Sequence, residues 1–83
     1  MRYQIIWAES AARELGKLEP PVARHIYSKV GELADNPYRN VKKLSGDRGF
    51  RLRVGDYRII FDIDGERLKI LVLKVGHRSR VYR

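Results

Sequence analysis

The sequence predicts an α+β domain, a small antiparallel sheet with two N-terminal helices packed on one face in the order β-α-α-β-β-β. Three observations carry this. Apolar residues alternate with polar ones in several short runs, they recur at helical spacing in two segments near the N terminus, and the turn pairs Gly55-Asp56 and Asp64-Gly65 separate the last three alternating runs. The chain of 83 residues makes a single domain over 1–83. It has a small core and no second lobe to close over a substrate, so any site is open or completed by a partner.

Tyr3, Ile5 and Trp7 alternate with Arg2, Gln4 and Ile6, which predicts a first strand with one face in the core. Ala8, Ala11, Ala12, Leu15 and Leu18 then recur at helical spacing, with Glu9, Arg13, Glu14 and Lys17 outside, predicting an amphipathic helix over 8–18. Glu19-Pro20-Pro21 ends it, because the residue before a proline avoids the helical region, and proline suits the first turn of the next helix. Val22, Ile26, Val30 and Leu33 form the inner stripe of that second helix, which Asn36-Pro37 stops. His25 falls on its outer side and reads as a solvated helix residue. Residues 37–49 read as a basic loop that includes Arg39, Lys42, Lys43 and Arg48.

The stretch FRLRVGDYRIIF, residues 50–61, predicts a hairpin with a two-residue turn at Gly55-Asp56. Val54 then pairs with Tyr57, Arg53 with Arg58 and Arg51 with Ile60. Like charges directly opposite on neighbouring strands are destabilising. Either an anion sits between Arg53 and Arg58, or the two guanidinium groups splay into water. A second two-residue turn at Asp64-Gly65 pairs Ile60 with Lys69 and extends the basic face to that lysine. The run from Leu68 to Val75 is apolar at nearly every position, which predicts a strand buried on both faces and central. Gly76 ends it, and His77, Arg78, Arg80, Tyr82 and Arg83 form a basic tail.

The net charge of +8 is unevenly placed. Residues 1–36 balance five basic against five acidic side chains, whereas residues 37–83 hold thirteen against five, so the whole excess lies in the second part. Interleaved with aromatics, that excess points to nucleic acid, and a basic face also suits an acidic protein. No cysteine is present, and two histidines distant in sequence do not make a metal site. Without a long apolar run or a leader pattern, the expectation is a soluble cytoplasmic protein with no membrane partner.

The strand, helix, helix, three-strand order, the segment LRVGDYRIIF and the ending VGHRSRVYR together resemble the RelE-like toxins of the RelE/ParE superfamily of toxin–antitoxin systems. The resemblance spans essentially the whole chain, and its specificity rests on the second half. It implies the toxin of a type II system: a ribosome-dependent messenger RNA endoribonuclease that inhibits translation, needs no metal or cofactor, and is held inactive by an acidic RelB-like antitoxin. It also implies the site. Residues matching the family pattern are Arg51 and Arg53 before the glycine turn, Arg58 after it, and Arg78 and Tyr82 near the C terminus, with Arg80 the alternative to Arg78. ParE-like members act on DNA gyrase instead, and a non-enzymatic gyrase inhibitor is the alternative reading.

Such a nuclease must deprotonate the ribose 2′-hydroxyl, neutralise charge on the phosphorane and protonate the leaving 5′-oxygen. Arginines suit the second task, so Arg58 and Arg78 are assigned to the scissile phosphate. Arg51, Arg53, Arg80, Lys42, Lys43 and Lys69 are assigned to neighbouring RNA backbone. Tyr82 is the candidate acid, with capping of the sheet edge or stacking on a base as its alternative role. Lysines stand before the turn in the best-known member, but the arginines here are poor proton acceptors. The base is therefore open, with His77 a candidate and a turn residue otherwise.

Overall fold

Among the described residues, two helices and five strands run in the order β1 (Gln4–Trp7), α1 (Glu9–Gly16), α2 (Pro20–Glu32), β2 (Val41–Lys43), β3 (Phe50–Val54), β4 (Tyr57–Asp64) and β5 (Lys69–His77). The computed structural model describes residues 2–38, 41–43 and 49–77, with Lys42 and Lys43 described by backbone alone. The strand, helix, helix, three-strand order holds. To it is added the three-residue β2, inside the segment read as a loop. Proline begins α2, as its fixed φ favours.

One sheet holds all five strands in the order β1-β5-β4-β3-β2. The helices carry the chain from one edge strand to the other, so β1 meets the last strand, β5, in parallel, and the other neighbours are antiparallel. Both helices lie on one face. Ala11 of α1 and Ile26 and Val30 of α2 are fully buried in one cluster with Leu52, Val54, Ile59, Phe61, Ile70, Val72 and Val75. Phe61, on the middle strand, is the largest of these, and Phe50 stacks on it at 5.8 Å between ring centroids. Burial of such a ring contributes roughly 1.5–3 kcal/mol. Among the described residues no helix is long and apolar enough to cross a membrane.

The β3–β4 hairpin has the expected register: Val54 opposite Tyr57, Arg53 opposite Arg58, Arg51 opposite Ile60. Gly55 takes φ +59°, the left-handed conformation a two-residue turn demands and glycine supplies without strain. The second turn differs from expectation. Asp64 pairs with Lys69, so four residues, 65–68, make the connection. Asp64 Oδ1 accepts from the backbone N–H of Glu66 and of Arg67, and Leu68 turns the chain at φ +54°. An aspartate capping the following amides in this way stabilises a wider turn than Asp-Gly alone predicts.

Strand β5 is interior to the sheet, as expected, but its burial differs from expectation. It lies between β1 and β4, with β4 in the middle of the sheet. Leu71 and Leu73 are 40% and 38% exposed, so β5 is buried on the helix side only. Its pairing with β4 shifts between Ile60 and Phe61: Phe61 faces Val72, but Ile60 faces Lys74, leaving Leu73 as an extra residue. This bulge turns Val75 into the core, where it is 3% exposed.

Candidate nucleic-acid interface

Because the core takes Leu52, Val54, Ile59 and Phe61, the alternate positions Arg51, Arg53, Arg58 and Ile60 face the other way. Register then sets two rows across the sheet on that outer face. One runs from Lys42 through Arg51 and Ile60 to Lys74. The second runs from Arg53 through Arg58 to Gly76. Lys43 stands opposite Phe50, out of step with both rows.

Arg53 and Arg58 are directly opposed, and their surroundings differ. Arg53 is exposed, and its Nε donates to the Gly55 carbonyl at 3.4 Å, which draws it along the turn. Arg58 is half-buried. Its Nε and Nη1 are shut off from solvent and have no hydrogen-bond acceptor among the described residues. Buried donors without an acceptor cost about 1–3 kcal/mol, more when charged. A guanidinium with unmet donors on a strand, beside another cation and opposite a glycine, is suited to pair with an anion once those donors are uncovered. Of the two readings of the opposed pair, this arrangement favours the anion at Arg58, while Arg53 keeps to the solvent.

Two sequence-predicted members do not join these rows. Lys69 was expected opposite Ile60, but it pairs with Asp64 at the far end of β4, because the wider turn moves the register and Lys74 takes the place beside Ile60. His77 pairs with Tyr57, whose ring it meets edge-on at 5.6 Å. Tyr57 packs against the core, which puts His77 on the helix side by register; the cavity they border with Ser10, Glu14 and Leu18 lies at the end of β5, and Lys74 and Gly76 border it too. His77 therefore lies across the sheet from Arg58. Arg78, Arg80 and Tyr82 lie outside the described residues.

Lys74 is the residue that sequence reasoning missed. The available signal was the odd spacing of Lys69 and Lys74 on one strand: two lysines five positions apart reach the same face only if a bulge lies between them.

A thin open sheet with two helices behind it and a cationic outer face makes a small scaffold suited to binding a polyanion. The family model described as ParE toxin of the type II toxin–antitoxin system parDE matches residues 5–82. The chain is 34% identical to the toxin RelG of Mycobacterium tuberculosis over 86 residues, covering 100% of this chain and 99% of that protein. It is 29% identical over 83 residues to the mRNA interferase toxin RelE of Escherichia coli K12, covering 96% and 87% of the two chains. Its structure matches a chain of the toxin–antitoxin complex RelBE2 of M. tuberculosis with a TM-score of 0.85 at 31% identity, over 94% of this chain and 100% of that one. The protein belongs to the RelE-like toxins of the RelE/ParE superfamily, of type II toxin–antitoxin systems.

Proposed function

We propose that this toxin is an endoribonuclease that cuts messenger RNA on the ribosome, by attack of the ribose 2′-hydroxyl on the adjacent phosphate, and so stops translation. The observation that carries this reading is Arg58, with two solvent-shielded, unaccepted donors opposite a second arginine on an open sheet face. Arg58 neutralises charge as the 2′-oxygen bonds to phosphorus and the bond to the 5′-oxygen breaks, giving a cyclic phosphate and a free 5′-hydroxyl. Arg78, or Arg80 in its place, supports the same phosphate, and Tyr82 donates the proton to the leaving oxygen. Arg51, Arg53 and Lys42 hold neighbouring backbone. Among the described residues the outer face carries no strong base, so the 2′-hydroxyl proton passes to water and the rate depends on orientation, which a ribosome-bound message supplies. Two relatives named as RelE-type toxins, one of them an mRNA interferase, support the reading.

A basic face of this density calls for an acidic partner in the resting cell, and an antitoxin of RelB type fits it by charge. Solved relatives form toxin–antitoxin complexes. Mapping RNA 5′ ends after induction of the toxin tests the nuclease reading. Cuts clustered at fixed codon positions are expected. Intact messages together with inhibited DNA supercoiling would replace it with the gyrase reading.

A further inference from the structure

Strand β5 places a cation on the outer face by an irregularity in its pairing. Continuing the register of Phe61 with Val72 without interruption would set Leu73 opposite Ile60 and Lys74 opposite Ile59, in the core. The extra residue at Leu73 instead sets Lys74 opposite Ile60. Lys74 is exposed, in the same row as Arg51 and one step along the face from Arg58. Gly76, opposite Arg58, has no side chain to separate the lysine from the arginine. Bulges commonly re-aim a side chain beside a site.

We propose that Lys74 is an RNA-binding residue of this site, holding the backbone phosphate that flanks the Arg58 phosphate on the side opposite Arg51. The inference rests on the RNA-cleaving function proposed above. Arg51 on β3 and Lys74 on β5 stand on either side of β4, two strand spacings or about 10 Å apart. Register puts Ile60 between Arg51 and Lys74, with Arg58 two residues along β4, so an RNA strand crossing the sheet in an arc passes Arg51, Arg58 and Lys74 in turn. Successive phosphates along a single strand fit such a row, and a lysine suits a flanking position because it binds phosphate as a mobile point charge.

The test uses the full chain and a short single-stranded RNA made uncleavable by 2′-deoxy substitution at the cut position, with binding followed by fluorescence anisotropy across a salt series. Lys74→Ala is expected to lower the slope of log affinity against log salt by about 0.7, the loss of one single-strand phosphate contact. Lys74→Arg restores it. Lys69→Ala, on the same face but opposite Asp64, leaves the slope unchanged. Replacing single phosphates by neutral methylphosphonates then locates the contact: the replacement that no longer matters in Lys74→Ala lies on the other side of the cut from the one that no longer matters in Arg51→Ala. Equal slopes for wild type and Lys74→Ala, or the same phosphate for both variants, overturn the assignment while leaving the nuclease intact. Absence of RNA binding by the wild type overturns this assignment, whereas uncut messages after induction overturn the nuclease reading.

Discussion

Arg58 and Arg53 are each other's neighbours by register, and they serve stability and function in opposite senses. Removing Arg53 relieves a repulsion: Arg53→Thr is expected to raise stability by about 0.2–1 kcal/mol in a urea titration while weakening RNA binding. A drop in stability would mean that the contact of Arg53 with the Gly55 carbonyl outweighs the charge. Arg58→Ala is expected to reduce cleavage on programmed ribosomes by about 10²–10³-fold, the usual cost of losing one stabiliser of developing charge, and to relieve growth arrest. Arg58→Lys restores little of it, since an ammonium lacks the planar fork. Full activity in the alanine variant would remove Arg58 from the reaction. At Gly55 an added Cβ meets nothing within 4 Å, so Gly55→Ala isolates the backbone cost of φ +59°. A loss of roughly 1–2 kcal/mol in the thermal transition is expected.

The two turns show why one hairpin was legible in the sequence and the other was not. Val54-Gly55-Asp56-Tyr57 closes with a glycine in the left-handed region, a local requirement visible in the residues themselves. At Asp64 the same kind of signal misled, because the geometry is set by the aspartate capping two amides and by Leu68, a residue with no intrinsic claim to positive φ. The parallel pairing of β1 with β5 was hidden for another reason, since it joins segments more than sixty residues apart and leaves no local pattern. The continuous apolar run in β5 suggested two buried faces, yet the outer face carries no described element over Leu71. A pair of substitutions measures this difference. Leu71→Thr is expected to change stability by no more than about 0.5 kcal/mol, as surface replacements do. Ile70→Ala, at a fully buried position, costs about 2–5 kcal/mol. Comparable losses at both would show that the outer face of β5 is covered.

At the scale of the molecule, the fold separates two tasks by face: helices and core on one side, cations on the other. Of the thirteen basic side chains in residues 37–83, seven lie in β2 to β5 against two acidic ones, Asp62 and Asp64. That concentration is a standing repulsion in the free protein, and any polyanion that binds only the folded sheet stabilises the fold through linkage. Ligand at about a hundred times its dissociation constant contributes roughly 2.7 kcal/mol. For a domain of this length each kcal/mol moves the midpoint by about 4–8 °C. Adding poly(U) at 50 mM salt is therefore expected to raise the melting temperature by on the order of 10 °C, and most of the rise should vanish at 200 mM salt as counterion release weakens binding. Saturation with an acidic antitoxin should abolish the response to poly(U), because both ligands need the same face. A rise that survives high salt, or that adds in full to the antitoxin's own, would place RNA somewhere other than the row of cations across β2 to β5.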